Sequence, residues 1–355
     1  MRDKSILINN IYHMLSYALP SLRPAGMEKV SAQRFDNIHD LFAAMLVQGI
    51  RRQIKRGLYR GYANRHESLP TVRGKIDVQG TMRDRLAQRQ RVSCEFDELC
   101  ENNVLNQIIK TAATILLYQS DTSDTYRRAL KQIMPFFDHV NTIDPSNIRW
   151  SSLPLHRNNH TYRALLGICQ LLFAGLLPTE HAGTYRLQSF LGDRQMHYIY
   201  EKFLLGYYRK EHPELVVSAA HIPWAVDNGL TTMLPAMRSD VMLENAAGDT
   251  VLIIDAKYYA RTMSGNYDAH TIHSANLYQM FAYVKNKAAS MEPGNRTVSG
   301  MLLYARTDEE AQPDNSYLMQ GDMISVRTLD LNREFPHIAA QLDAIVAQHF
   351  GKAAA

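Results

Sequence analysis

The chain has 355 residues, of which 46% are hydrophobic and 21% are charged, and its formal net charge is +4. This composition is typical of a folded globular protein and excludes the disordered and fibrous classes. One hydrophobic core rarely grows beyond about 250–300 residues, so the length predicts two domains. The small positive charge is compatible with a nucleic-acid partner but does not require one.

The cysteines and the apolar segments exclude several other classes. Cys94, Cys100 and Cys169 are scattered without a Cys-x-x-Cys spacing, which predicts neither a disulfide framework nor a zinc site. No uncharged apolar run reaches the roughly 18 residues of a membrane span, and the first residues lack the apolar segment of a signal peptide. We therefore expect no membrane contact and a cytoplasmic location.

The first half of the sequence alternates helical and β-like patterns. Apolar residues at helical spacing predict helices over 9–18, 35–53, 101–119, 124–134 and 162–177. Between the second and third of these, glycines and prolines divide short β-like segments, which predicts hairpins or a small barrel. A stretch rich in Ser, Asn and Pro over 145–159 predicts the domain boundary. We expect a mixed helical and hairpin domain over 1–155 and a second domain over 156–355.

Basic residues are concentrated in the β-like part of the first domain. The cluster includes Arg73, Lys75, Arg83 and Arg85. Two interpretations remain open, because such a cluster is either a solvated surface or a face that contacts phosphate groups or an acidic partner protein.

The second half has a more regular order of elements. We predict a helix over 198–209, strands over 215–226, 232–243 and 250–256, a helix over 276–288 and a strand over 299–304. This order indicates a mixed sheet flanked by helices, which belongs to the α/β class and makes the whole chain α+β.

Three charged residues on neighbouring strands of this sheet form the candidate site. Period-two alternation places Asp255 and Lys257 on one face of their strand. The turn-like link over 245–249 predicts antiparallel pairing with the preceding strand, so that Asp240 lies opposite about residue 254. Two carboxylates that bind Mg²⁺ beside one lysine suit phosphodiester hydrolysis. The simpler interpretation of Asp255 and Lys257 is an ion pair at a strand end.

Two predicted helices contain polar residues that can complete the site. Glu201 lies among apolar neighbours on the first of them, and Gln279 and Tyr283 are four residues apart on one face of the second. The alternatives are a surface glutamate on an amphipathic helix and an ordinary packing face with an aromatic residue.

In type and order, these residues resemble the PD-(D/E)xK nuclease superfamily. Its core has an acid on a helix, a hairpin with Asp and then Asp/Glu-x-Lys, and a helix that often contains Gln-x-x-x-Tyr. Here the first acid of the hairpin follows Ser239 instead of Pro. More specifically, the sequence resembles the McrC family, the nuclease subunits of modified-cytosine restriction systems, over the segments 10–18, 73–76, 96–103, 108–110, 234–237, 254–259 and 276–279.

The resemblance implies a restriction-endonuclease-like fold over 156–355, with Asp240 and Asp255 as metal-binding acids and Lys257 as the catalytic lysine. It implies Mg²⁺ as cofactor and double-stranded DNA as substrate of a type IV restriction subunit. It also implies that the N-terminal domain, with a stalk-like region over 51–91, inserts into a McrB-like AAA+ hexamer and stimulates its GTPase. The sequence has no GxxxxGK[ST] motif, so we expect no nucleotide bound by this chain itself.

Two further functions are compatible with these observations. The chain could be a non-catalytic activator of a ring NTPase whose α/β domain only grips DNA, or an RNA-directed or repair nuclease of the same superfamily. The presence of two mutually repelling acids argues against the first, because a protein without catalysis gains nothing from their repulsion.

Overall fold

The computed structural model describes residues 2–3, 6–18, 35, 37–156, 159–178, 185–187, 193–258, 263–266, 269–291, 296–306 and 312–351. Over these residues it contains nine α-helices: α1 Ile8–Ala18, α2 Ile38–Arg56, α3 Val78–Leu86, α4 Val104–Tyr118, α5 Asp124–Ile133, α6 His160–Ala174, α7 Asp193–Glu211, α8 Ser274–Ala289 and α9 Phe335–Phe350. Short 3₁₀ helices cover Met134–Phe137, Pro145–Asn147 and Trp150–Ser152. In this part of the chain, no helix combines the length and hydropathy that crossing a bilayer requires.

The strands form one large mixed sheet and several small antiparallel ones. In chain order they are β1 Arg2–Asp3, β2 Ile6–Leu7, β3 Gly61–Leu69, β4 Lys75–Ile76, β5 Val92–Cys100, β6 Leu176–Pro178, β7 Tyr185–Leu187, β8 Val216–Ser218, β9 His221–Ile222, β10 Met237–Arg238, β11 Val241–Glu244, β12 Thr250–Lys257, β13 Met263–Asn266, β14 Ala269–Ile272, β15 Thr297–Ala305, β16 Asn315–Met319 and β17 Asp322–Leu329. The predicted α/β class, a mixed sheet flanked by helices, is confirmed.

The large sheet has the strand order β16-β17-β15-β12-β11-β8. Its central strands β12, β15 and β17 are parallel, whereas β11 pairs antiparallel with both β12 and β8. Strands β12 and β15 are buried along almost their whole length, as expected for parallel strands that are covered on both faces. Helix α8 packs closely on β15, because a Cβ atom at Gly300 would lie only 2.5 Å from Met280 Sδ.

The chain divides into two compact units. Unit 1 contains Met1–Leu41 and Gln188–Ala355, and unit 2 contains Phe42–Leu187. Helix α1 packs on α7 within unit 1, so the first residues of the chain belong to the unit that contains the large sheet. These units have other boundaries than the domains expected over 1–155 and 156–355. That functional division, into a partner-binding part and a nuclease part, stays a prediction.

Unit 2 combines helices with a small antiparallel sheet, as the sequence predicts. Helix α4 begins after Asn103, whose side chain accepts a hydrogen bond from the Asn106 backbone amide. The sheet has the order β3-β5-β4. Helix α3 is an additional element that the hairpin prediction missed. It contains Gly80, a weak helix former, but a Cβ atom there would overlap Ser93 Oγ, so tertiary packing on β5 requires glycine.

The strands expected over 215–226 and 232–243 are shorter in the structure. The first is divided into β8 and β9 and the second into β10 and β11, and the long loop 223–236 connects β9 to β10. The loop contains Pro223 and Pro235, which lack a backbone donor for a strand ladder. The structure also adds the β16–β17 hairpin and helix α9, for which the sequence analysis made no prediction.

Candidate active site

The hairpin of β11 and β12 brings the two predicted acids together. The ladder ends with Val241 opposite Ile254, so Asp240 and Asp255 are the next residues on the two chains beyond its last pair. The Ala256 backbone amide donates a hydrogen bond of 2.8 Å to Asp240 Oδ2. The sequence analysis placed Asp240 opposite about residue 254, within one residue of Asp255; the ladder differs from that count by one residue and lies within this margin.

The turn explains this difference. The ladder ends with Glu244 opposite Val251, and the Asn245 amide then donates to the Thr250 carbonyl at 3.1 Å. Gly248 has a φ of 72°, a left-handed conformation that glycine adopts without strain. The link is therefore one residue longer on the side of β12 than the sequence analysis assumed.

Asp255 and Lys257 project from the same face of β12 and are both buried. Asp255 is 3% exposed and Lys257 is 7% exposed. Lys257 Nζ forms an ion pair with Asp255 Oδ2. A buried ion pair is stabilising only when further hydrogen bonds or a bound cation offset the cost of removing both charges from water.

The two acids repel each other. Burial raises the pKa of Asp240 to about 7, and the neighbouring Asp255 carboxyl adds to this rise. The Ala256 amide acts in the opposite direction, and Glu201 contributes a smaller increase. Burial and the repulsion from Asp255 both disfavour the ionised form of Asp240. A cation bound between the two acids would reduce both costs.

Helix α8 contributes a polar chain to the same point. Lys257 Nζ donates to Gln279 Oε1 at 3.3 Å, and Gln279 Nε2 donates to the Tyr283 hydroxyl at 2.7 Å. Tyr283 is 6% exposed, and the two side chains stack along one helix face at a spacing of four residues. The position of the lysine is thereby set from both the sheet and the helix.

Glu201 lies on α7, which packs against β12. Its carboxylate is close enough to Asp240 to influence that residue electrostatically. It also accepts a 2.6 Å hydrogen bond from Lys202 Nζ, and its side chain is 23% exposed. Glu201 therefore borders the acid pair, but its shortest contact is with its neighbour along the helix.

The donor set determines which ion would fit. Among the residues that the structure describes, no group of three or more His, Cys, Asp or Glu side chains is arranged to bind a metal. Asp240 and Asp255 supply hard oxygen ligands, and the two carboxyls are close enough to raise the pKa of Asp240. This pair fits an ion such as Mg²⁺, which takes one or two carboxylates and completes its octahedron with water and substrate oxygens.

Two supporting residues were not identified as site residues from the sequence. Asn276 Nδ2 donates at 2.9 Å to the hydroxyl of Tyr304, and Tyr304 is paired with Lys257 across the parallel strands. Asn276, Gln279 and Tyr283 have helical spacings of three and four residues, a signal that could have included Asn276. The contact of Tyr304 with the helix depends on strand pairing and has no local signal.

The four basic residues predicted to bind a partner lie in unit 2 and are all exposed. Arg73 forms an ion pair with Glu98 at 3.4 Å, and its guanidinium lies 4.1 Å from the centre of the Phe96 ring. Lys75 lies on β4, and Arg83 and Arg85 lie on α3. Their role in partner binding stays a prediction.

Helix α3 also exposes apolar side chains. Val78, Met82 and Leu86 are 65%, 61% and 84% exposed, and their spacing of four residues places them on one face. We call these three residues the α3 stripe. The surface around the basic residues is therefore partly apolar.

Comparison with known proteins identifies the family. The family model of the McrBC 5-methylcytosine restriction system component matches residues 4–305. The Escherichia coli K12 protein described as type IV methyl-directed restriction enzyme EcoKMcrBC is 26% identical over 347 residues, covering 96% of this chain and 97% of the relative.

A solved structure supports the fold. It is a half-complex from a tetradecameric assembly of Thermococcus gammatolerans McrB AAA+ hexamers with bound McrC, and the match has a TM-score of 0.52 at 17% identity. The match covers 95% of this chain and 76% of that one. Since the family model spans most of the sequence, the chain belongs to the family of McrBC 5-methylcytosine restriction system components.

Proposed function

We propose that the chain is the DNA endonuclease subunit of a modification-dependent restriction complex and that Asp240, Asp255 and Lys257 cleave the phosphodiester bond. One observation carries this proposal: two acids and one lysine, of which Asp255 and Lys257 are buried and Asp240 is half-buried, converge at the end of β12. A structural ion pair would not need the second acid, whose repulsion destabilises the site.

Each residue has a distinct task in this proposal. Asp240 and Asp255 would bind Mg²⁺. When bound, the ion stabilises the negative charge that develops on the phosphate in the transition state. Lys257, positioned by Asp255 and Gln279, donates hydrogen bonds to the attacking water or to a phosphate oxygen. Gln279 and Tyr283 restrict the lysine to one orientation, because their hydrogen bond fixes the amide.

The nuclease would depend on a partner. The Escherichia coli relative is described as a methyl-directed restriction enzyme, and the Thermococcus gammatolerans protein is bound to McrB AAA+ hexamers. We extend both properties to this chain: it assembles with a McrB-like AAA+ GTPase hexamer and stimulates GTP hydrolysis. The motor belongs to that partner, since this sequence lacks a GxxxxGK[ST] motif.

Unit 2 supplies the surface that we assign to partner binding. Arg73, Lys75, Arg83 and Arg85 are exposed cations that can pair with acidic groups, and the α3 stripe next to them provides apolar area. In an interface, buried apolar contacts provide affinity, and the charged residues around them orient the partner. The α3 stripe would have the first role and the four basic residues the second.

The decisive experiment is a reconstituted cleavage assay. The full chain is mixed with a McrB-like AAA+ protein, GTP and Mg²⁺, on methylated and unmethylated DNA. We expect cutting that requires every component, prefers methylated DNA and disappears in Asp255→Asn, which keeps the shape of the side chain. Asp322→Asn is the matched control, because Asp322 of β17 forms a 2.6 Å ion pair with Lys285 of α8 and is not one of the proposed site residues.

Two results would contradict the assignment. Cutting that survives in Asp255→Asn would remove the proposed site. GTPase stimulation by a wild-type chain that never cuts DNA would favour the non-catalytic activator instead. A GTPase stimulation that is equal in Asp255→Asn and the wild type shows that the variant is folded and assembled.

A further inference from the structure

A surface pocket of about 400 Å³ lies where β15 and β17 end. Arg306 and Asp330 directly follow these strands, and the Arg306 amide donates to the Leu329 carbonyl at 2.9 Å, which continues the ladder between them. Helix α9 borders the pocket on another side. Polar side chains from these elements line it, among them Arg306, Asp314, Thr328, Asp330, Arg333 and His337.

The pocket lies at the same edge of the large sheet as the candidate active site. Strands β12, β15 and β17 are parallel, so their carboxyl ends lie side by side. Lys257 is opposite Tyr304, two residues before Arg306. At about 3.3 Å for each residue along a strand and about 4.8 Å between strands, the backbone of Arg306 and Asp330 lies roughly 8–12 Å from that of Lys257. One ligand along this edge can therefore contact both places, since ligands of α/β sheets bind outside the carboxyl ends of the strands.

One carboxylate holds two guanidinium groups in the pocket. Arg306 Nη1 lies 3.0 Å and Arg333 Nε 3.3 Å from Asp330 Oδ2. The side chain of Asp330 is only 16% exposed, whereas those of Arg306 and Arg333 are 49% and 66% exposed. The acid is thus the covered member of the group, and both cations remain accessible to a ligand.

The loop that contains Arg333 is fixed by side chains from two helices. Asn10 of α1 is 2% exposed, and its Nδ2 donates to the carbonyls of Leu331 and Arg333 at 2.8 and 2.7 Å. The Asp330 amide donates to Gln341 Oε1 of α9 at 3.1 Å. The pocket is therefore built before a ligand arrives, which reduces the conformational entropy that binding would cost.

The charges of the pocket leave a positive excess. Asp314 is paired with Arg327 at 2.7 Å, and Asp330 is shared by two arginines. Among the described lining residues and their ion-pair partners, three arginines thus face two aspartates. A guanidinium has five N–H donors, and Arg333 uses only Nε in its hydrogen bonds with the described residues. The pocket can accordingly accept an anion without losing its internal ion pairs.

We propose that Arg306 and Arg333 bind a backbone phosphate of the DNA, about three nucleotides from the phosphate at the candidate active site. This inference rests on the proposed DNA cleavage. A guanidinium matches a phosphate in geometry and charge and donates two parallel hydrogen bonds to it. The separation of roughly 8–12 Å corresponds to about three nucleotides at 3.4 Å of rise each. The contact would hold the duplex in place for cleavage and would read no sequence, as is usual for phosphate contacts.

The test compares three double variants of the full chain. Arg306→Gln/Arg333→Gln removes both charges, and Arg306→Lys/Arg333→Lys keeps them. Arg209→Gln/Lys285→Gln is the matched control at the opposite edge of the sheet. Lys285 pairs with the first residue of β17, and Arg209 donates to β8 near the level at which β12 begins.

The first readout is DNA affinity over a series of salt concentrations. It is measured in the Asp255→Asn background, with the full chain by itself and in complex with a McrB-like AAA+ protein. Loss of one phosphate contact should lower the slope of log K against log salt by about 0.9 and weaken binding about tenfold, equally on methylated and unmethylated DNA. The lysine variant should keep most of the slope, and the control should match the parent protein.

The second readout is cleavage by complexes that retain Asp255. The glutamine variant should raise KM for DNA about tenfold and leave kcat unchanged, because the phosphate contact is the same before and during the reaction. Equal melting temperatures and equal GTPase stimulation without DNA show that the variants are folded and assembled.

The outcomes separate this inference from the proposed function. Equal DNA affinity and salt slope in the glutamine variant and its parent would overturn the phosphate site, as would a parent that binds no DNA in either form. An equal loss of slope in the lysine and glutamine variants would assign the arginines to local structure instead. Loss of GTPase stimulation at unchanged DNA affinity would assign the pocket to an acidic group of the partner and refute the inference. If the wild type cuts no DNA, the proposed function fails, but a salt slope that depends on Arg306 and Arg333 would still support the phosphate site.

Discussion

Replacing Asp240 by Asn should make the metal-free protein more stable, although it abolishes cleavage. In the folded chain, burial and the Asp255 carboxyl raise the pKa of Asp240 from 3.8 to about 7. At about 1.4 kcal/mol for each pKa unit, ionising Asp240 at a pH above 7 costs about 4 kcal/mol of the free energy of unfolding. An asparagine avoids this cost, because its amide carries no charge.

Part of this gain is offset. The asparagine of the Asp240→Asn variant would accept the Ala256 amide hydrogen bond as a neutral group, and neutral acceptors contribute about 1 kcal/mol less than charged ones. We therefore expect a net increase of roughly 1–3 kcal/mol in the free energy of unfolding. The measurement is urea denaturation of the full chain with EDTA at a pH above 7. Asp97→Asn, at an exposed position on β5, is the control and should change little.

The pH dependence has a definite sign. The folded state binds more protons than the unfolded state between pH 3.8 and about 7, so wild-type stability falls as the pH rises through this window. The advantage of Asp240→Asn should be absent below the window and complete above it. Mg²⁺ should raise the free energy of unfolding of the wild type and leave that of Asp240→Asn unchanged, so the difference in stability between the two proteins becomes smaller. An Asp240→Asn protein that is less stable than the wild type in EDTA at a pH above 7 would refute this reasoning.

Three further predictions test the supporting structure. Gln279→Ala should lower the cleavage rate by about 10- to 100-fold without weakening DNA binding, because Lys257 loses its contact with α8. Steady-state kinetics measures the cleavage rate, and a binding titration measures the affinity for DNA. Gly300→Ala should destabilise the protein by about 1–3 kcal/mol in urea, because the new methyl group overlaps Met280 where α8 packs on β15; equal stability would contradict that close approach. Met82→Ser/Leu86→Ser should raise the AAA+ partner concentration for half-maximal GTPase stimulation about tenfold at unchanged melting temperature, and unaltered stimulation would remove the α3 stripe from the proposed interface.

The local elements could be predicted from the sequence because their patterns are short in range. Helical spacing of apolar residues predicted helices that the structure contains as α1, α2, α4, α5 and α6, and the aliphatic run before Asp255 predicted β12. Period-two alternation also placed Asp255 and Lys257 on one face, since that relation depends only on the geometry of a single strand.

Contacts between distant segments were decided by the tertiary structure. The register that aligns Asp240 with Asp255 depends on one residue in the turn, and a shift of one residue exchanges the faces of a strand. The hydrogen bonds from Lys257 to Gln279 and from Asn276 to Tyr304 depend on how α8 packs on the sheet. No local pattern encodes such packing.

The sequence by itself therefore determined which charged residues are available, on which elements they lie and which family the chain resembles. Only the tertiary structure decided that Asp255 and Lys257 are buried together beside Asp240, and that Gln279 of α8 contacts the same lysine. The physical reason is that burial and direction are properties of the assembled sheet. They arise when strands far apart in the chain pair and exclude water, so no single segment contains them.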